Sequence, residues 1–166
     1  MKEEFMKPIV AILMGSDSDA ESLKPCGEVL KMLGIPYVAR VLSAHRTPKD
    51  TVEFVEAAKK DGIRVLICAA GGAAHLAGVV AAHTELPVIG IPVETSSLNG
   101  MDSLLSTVQM PAGTPVATVA IGAGGVRNAA FLAARILALS DPKLEKALVD
   151  YKETNRQKVL GKKVDL

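Results

Sequence analysis

Four consecutive residues, Ser43-Ala44-His45-Arg46, supply a hydroxyl, an imidazole and a guanidinium. A guanidinium matches phosphate oxygens with paired hydrogen bonds, and an imidazole exchanges protons most readily near neutral pH. Arg46 could thus hold an anion and His45 move a proton; the competing reading is a surface loop in which both are merely solvated. A second cluster, Gly15-Ser16-Asp17-Ser18-Asp19, opens an amphipathic stretch. Glycine lets backbone approach a ligand, and the free amides of a helix start favour an anion. Ser16 and Ser18 add hydroxyl donors, whereas Asp19 suits ribose hydroxyls better than phosphate. The same residues would also make an ordinary Ser/Asp helix cap. A third cluster, Gly71-Gly72-Ala73-Ala74-His75-Leu76, has almost no side-chain chemistry before His75. Backbone donors and acceptors are what it offers, which suits the edge of a flat heterocycle, although glycine pairs also build plain strand-to-helix turns. His75 either orients this loop, contacts a carboxylate or caps the next helix. His83 reads as a helix-end residue. No carboxylate cluster accompanies these histidines, which argues against a metal site.

The elements that must position these clusters follow from hydrophobic periodicity. Short β-branched runs alternate with amphipathic stretches, the pattern of a parallel sheet with crossover helices. Strands are expected at 9–14, 37–42, 65–69, 88–91 and 116–121, nearly continuously apolar as strands covered on both faces should be. Helices are expected at 20–33, 48–61, 76–82, 102–109 and 126–139, with a charged final helix at 142–159. Thr47 can cap the second helix, Pro48 suits its first position and Gly62 stops it. The expected architecture is one α/β domain spanning 1–166: a three-layer α/β/α sandwich with a five-stranded parallel sheet, flavodoxin-like. Ligands of such sheets bind beyond the carboxyl ends of the strands. The three clusters follow the first, second and third strands, so they converge on one edge.

Composition limits the partners. The chain has 166 residues and a formal net charge of +1, so no basic field invites nucleic acid. Its longest apolar run falls short of the ~20 residues of a membrane span, and the first eight residues lack the apolar stretch of a signal peptide. Cys26 and Cys68 show no paired spacing, which fits a reducing, cytoplasmic setting. Hydrophobic residues make up 49% of the chain but aromatics only 3%. The segment 129–139 is apolar on almost every side, whereas a surface helix keeps one polar face. A homo-oligomer is therefore expected. The run Gly122-Ala-Gly-Gly-Val-Arg127 fails the dinucleotide-binding spacing because Arg127 takes the last glycine's place, and no Walker-type loop is present. Ala69 stands where a phospho-acceptor receiver domain needs an aspartate. The absence of Trp argues against a flavin carrier.

Gly15-Ser-x-Ser-Asp19, Ser43-Ala-His-Arg-Thr-Pro48, Gly71-Gly-Ala-Ala-His-Leu76, Asp102-Ser-Leu-Leu-Ser106, Val108-Gln-Met-Pro111, Pro115-Val-Ala-Thr118 and Asn128-Ala together resemble the 5-(carboxyamino)imidazole ribonucleotide mutases, also known as the catalytic subunit of phosphoribosylaminoimidazole carboxylase. The resemblance runs from about residue 8 to 160. It implies a flavodoxin-like homo-octamer of de novo purine synthesis that turns 5-carboxyamino-1-(5-phosphoribosyl)imidazole into the 4-carboxylate without a cofactor or metal. Carried over by position, Ser16, Ser18, Ser43 and Arg46 lie toward the phosphate and Asp19 toward the ribose. His45 is the proton-transfer residue, and Gly71, Ala73, Ala74, His75 and Leu76 enclose the imidazole and migrating carboxylate. Where the family usually reads His-Leu-Pro-Gly, this chain has His75-Leu-Ala77-Gly, which is expected to loosen the loop. Two alternatives stand beside this reading. One is a direct carboxylase using free carbon dioxide, whose relatives resemble Ala-His-Lys-Thr and lack the second histidine loop. The other is a non-catalytic nucleotide-phosphate sensor.

Overall fold

Five parallel strands form the sheet of the computed structural model, which describes residues 7–164. Residues 1–6, most of the stretch read above for a signal peptide, lie outside the described residues. The strands are β1 (Val10–Met14), β2 (Tyr37–Val41), β3 (Val65–Gly71), β4 (Val88–Val93) and β5 (Ala117–Thr118), arranged β2-β1-β3-β4-β5. The chain runs outward from β1 to β2, then crosses back to β3. Consecutive connections therefore leave β1 and β3 in opposite directions, opening a crevice at their carboxyl ends.

Side chains alternate across each strand, and β1, β3 and β4 are apolar on both faces because both are covered. The edge strand β2 departs from the expected double cover, with Ala39, Arg40 and Val41 exposed. Val10, Ile12 and Met14 of β1 join Val65, Ile67 and Ala69 of β3 in one core. That core is closed by α1 (Ala20–Met32) and α5 (Ala123–Ala138), with Leu144 from α6 (Pro142–Leu160) beneath α5. Ala11, Leu13, Leu66 and Cys68 point the other way, toward α2 (Pro48–Ala58) and α3 (Leu76–Ala82). Helix α4 (Met101–Val108) packs on β4 and β5. The buried face of α5 is small: Ala129, Ala130, Ala133 and Ala134 are fully covered, which lets α5 lie close to α1 and the sheet.

The expected elements are all present, with shifted ends. β3 and β4 run two residues further than expected, while β5 shrinks from six residues to two. Parallel-ladder geometry explains the short strand. Val119 donates its amide to the Gly90 carbonyl, so the Val119 carbonyl should accept from residue 92. Residue 92 is proline and has no amide to give, so the ladder stops. Helix α2 ends at Ala58, three residues early, in a turn closed at Gly62 with φ +101°. Pro48 does occupy its first position, but Thr47 does not cap it. The Thr47 hydroxyl instead accepts from the Ser43 amide at 2.9 Å and donates to the Ser43 carbonyl at 3.2 Å. Its bonds hold the loop that carries His45. Among the described residues no helix is long and apolar enough to cross a membrane.

Candidate functional site

Beyond Met14 the chain makes a single 3₁₀ turn, Asp17–Asp19, before α1. Ser16 caps that turn: its Oγ accepts from the Ser18 amide at 3.3 Å and from the Ser18 hydroxyl at 2.9 Å. Asp19 is partly buried there, and the loss of water raises its pKa above the usual aspartate value. The Ser18 hydroxyl, the Ser16 backbone and the Arg46 charge oppose that rise but do not cancel it.

Beyond Val41, Ser43 is buried and organises the second loop. Its Oγ accepts from the Arg46 amide at 3.2 Å and from Arg46 Nε at 3.5 Å. The Arg46 Nη2 donates to the Gly15 carbonyl, which ties the second loop to the first. The third guanidinium nitrogen, Nη1, makes no hydrogen bond among the described residues, and Arg46 is exposed. His45, one residue earlier, projects toward the third loop. Its Nε2 lies 2.8 Å from Nδ1 of His75, with the two rings perpendicular and their centroids 4.9 Å apart. One nitrogen must donate and the other accept, so the contact holds a single proton.

The third loop follows β3. Gly72 is left-handed at φ +68°, where other residues are strained. A Cβ on Gly71 would sit 3.3 Å from Thr95 Cγ2, so that position is also tightly packed. His75 donates its amide to the Ala73 carbonyl at 2.9 Å and immediately precedes α3 without capping it through its side chain. Ala77 is buried in the first turn of α3, where an amide has no helical acceptor, so α3 starts without the proline usual there. Before His75 the loop is tied by hydroxyls from α4. Ser103 accepts from the Gly72 amide at 2.9 Å and Ser106 from the Ala74 amide at 3.0 Å.

These three loops enclose a hollow of about 300 Å³ at the β1–β3 crevice. Ser16, Asp19, Ser43, His45, Arg46, Gly71, Ala73, His75 and Leu76 line it, joined by Gly15, Ala44 and Ala70. Ser18 and Ala74 do not. Ser18 stands outside, bonded to Ser16, and Ala74 is buried beneath the loop with its amide consumed by Ser106. His83 ends α3 remote from this hollow, with Nδ1 3.5 Å from Glu56 Oε1. A larger groove of about 1000 Å³ lies between α5 and α6, lined mainly by apolar side chains. Its polar lining is Asn128, Arg135, Glu145, Lys152 and Asn155, with no histidine among them. Sequence reasoning overlooked the roles of Ser103 and Ser106; the available signal was hydroxyls at helical spacing in the Asp102–Ser106 motif.

Known proteins are similar to this chain over most of its length. Residues 9–158 match the family described as AIR carboxylase. The chain is 53% identical over 155 residues to the N5-carboxyaminoimidazole ribonucleotide mutase of Bacillus subtilis, covering 93% of this chain and 96% of that one. It is 50% identical over 159 residues to the mutase of that name from Pyrococcus horikoshii, with 96% and 88% covered. The Escherichia coli protein of that name is 48% identical over 151 residues, with 91% and 89% covered. A crystal structure of Treponema denticola PurE superposes with a TM-score of 0.84 at 34% identity, covering 92% of this chain and 94% of that one. A match through all five strands and the three loops at their ends makes this chain a member of the AIR carboxylase family.

Proposed function

We propose that this protein is an N5-carboxyaminoimidazole ribonucleotide mutase, which moves a carboxyl group from the exocyclic nitrogen of an aminoimidazole ribonucleotide to ring carbon 4. The observation that carries the reading is the His45–His75 contact of 2.8 Å, set in a hollow that also holds Ser16, Asp19 and Arg46. The relatives named as mutases, at about half identity over most of their length, support it.

The chemistry suits these residues. In the first half the nitrogen–carboxyl bond breaks, carbon dioxide departs and the nitrogen takes up a proton. In the second half the ring carbon attacks that carbon dioxide, and the same carbon then gives up its proton. One proton enters and one leaves, so a single imidazole can supply it and recover it. His45 takes that role, with His75 holding its ring through the shared hydrogen bond. Arg46 and Ser16 bind the phosphate, Ser43 orients Arg46, and Asp19 accepts from the ribose. Gly71, Ala73 and Leu76 form the wall that keeps carbon dioxide beside the ring. Holding the two fragments together favours recapture over escape.

We also infer that the chain forms a single domain, works in the cytoplasm and assembles as a homo-octamer. The buried free thiols of Cys26 and Cys68 and the exposed apolar faces of α4 and α6 support this.

Ultraviolet monitoring of the 4-carboxylate tests the reading. The carbamate should turn over at catalytic enzyme concentrations, and product formed in labelled bicarbonate should contain little label at early times. Full labelling at early times would favour the direct carboxylation that the family description names. No turnover from either substrate would leave a binding protein.

A further inference from the structure

Helix α4 is amphipathic in the opposite sense to a helix packed on a sheet. Its inward face carries Ser103 and Thr107, both buried, with Ser106 beside them. Met101, Leu105 and Val108 point outward and are 51%, 50% and 46% exposed. A buried hydroxyl costs stability unless it is hydrogen-bonded, so three on one short inner face require partners. Each has one. Thr107 donates to the Ser103 carbonyl at 2.7 Å, a bond within the helix. The serines reach out of it: Ser103 accepts from the Gly72 amide, and Ser106 accepts from the Ala74 amide while donating to the Asp102 carbonyl at 2.7 Å. The serine bonds therefore bracket Ala73, two residues apart. At the head of the helix, Asp102 accepts from the Thr95 hydroxyl at 2.8 Å, and Thr95 packs against Gly71 at the start of the same loop.

The held segment is one that would otherwise wander. It contains two glycines, one of them left-handed, and ends on His75. Glycine has the most conformational freedom to lose, so a fixed His75 requires external ties. We propose that Ser103 and Ser106 are positioning residues for the reaction described above: by bonding the Gly72 and Ala74 amides they set the turn that keeps His75 within hydrogen-bond reach of His45. This rests on the mutase reading. It assigns α4 a part in the chemistry although Ser103 and Ser106 do not line the hollow.

Ser106→Ala should lower kcat by roughly 10–100-fold, as a misplacement of about 1 Å does, while KM moves much less. Ser106→Thr keeps the hydroxyl and should restore most of the rate. In a His75→Asn background the further effect of Ser106→Ala should largely vanish, because residues acting through one another are not additive. Imidazole nitrogen resonances of His45 and His75 supply a readout independent of turnover, and they should shift in Ser106→Ala but not in Ser106→Thr. A merely structural serine would lower the melting temperature and leave kcat, the pH profile of kcat and the imidazole signals of the folded protein unchanged. Ser103→Ala should behave as Ser106→Ala does; if it fails to fold, the Ser106 pair still decides. Wild-type turnover matched by Ser106→Ala would overturn the positioning role alone. Absence of turnover in the wild type would overturn the mutase reading and the catalytic role with it.

Discussion

At the hydrogen bond between His45 Nε2 and His75 Nδ1 only one proton can reside, so the two rings act as a unit. Asparagine at 45 can still bond His75 but cannot carry a proton. His45→Asn should therefore keep substrate binding and lose about 10²–10⁴-fold in kcat, the usual contribution of a general acid–base group. Steady-state kinetics against the carbamate would check this, and near wild-type turnover would remove His45 from the mechanism. Asp19 gives a second expectation, with the opposite sign for stability. Burial raises its pKa in the folded chain, so its contribution is fully present below the ordinary aspartate value and is lost as pH rises through the raised folded one. At neutral pH the ionised, partly dehydrated carboxylate weighs against the fold. Asp19→Asn should melt at the same temperature or slightly higher at pH 7, and lose that advantage toward pH 4. Its KM for the ribonucleotide should rise through the lost ribose contact. A clear fall in melting temperature at pH 7 would mean that Asp19 is a structural cap.

Among the elements, α4 packs tightly where it crosses β4. A Cβ on Gly90 would collide with Thr107 Cγ2 and sit 2.9 Å from Val116 Cγ1. Gly90→Ala should cost about 1–3 kcal/mol as overpacking. Adding Thr107→Ser removes the nearer methyl and should recover part of the loss, read as the shift of the urea midpoint. If Gly90→Ala were neutral, α4 would have freedom that this packing denies it. The same crossing shows what could and could not be read from sequence. Ile12, Leu66 and Ile89 lie in β-branched, nearly all-apolar runs, so strands and their order of loops were legible from period alone. Ser43, His45 and Arg46 stood out because hydroxyl, imidazole and guanidinium are rarely adjacent without purpose. Ser103 and Ser106 did not, because their role depends on a neighbour some thirty residues away that only the fold supplies. The end of β5 was hidden for a similar reason: Pro92 on the adjacent strand stops it, and no property of residues 116–121 reports that. The position of Thr47 before Pro48 suggested a cap, but its hydroxyl was claimed by Ser43 across the turn.

For the whole molecule, apolar surface is distributed as if further contact were intended. Leu98, Met101, Leu105 and Val108 are about half exposed around α4, and Val149, Val159 and Leu160 are more so along α6. The groove between α5 and α6 places Phe131, Leu132 and Tyr151 within reach of solvent. The sequence-based expectation that the segment 129–139 is covered by its own fold holds for the alanine face, while the opposite face lines this groove. Contiguous exposed apolar patches usually mark an interface. Light scattering at micromolar concentration should therefore give a mass several times 17.3 kDa, and the melting temperature should rise with protein concentration as mass action requires. A monomeric mass would contradict it.

The strand order has one more consequence, in the time during which the chain is made. With β2-β1-β3-β4-β5, β3 adds to the free side of β1, β4 and β5 each add beside the strand made just before, and none has to insert between two strands already paired. The sheet can therefore lengthen at one edge at the pace of synthesis. By Leu76 the three loops around His45 and His75 all exist, but Ser106 is thirty residues further on, a delay of several seconds at roughly 5–20 residues per second. Until β4 is made, β3, buried at its first five positions in the finished fold, is an open edge, so premature termination just after the histidine pair should yield the fragments most prone to pair with one another.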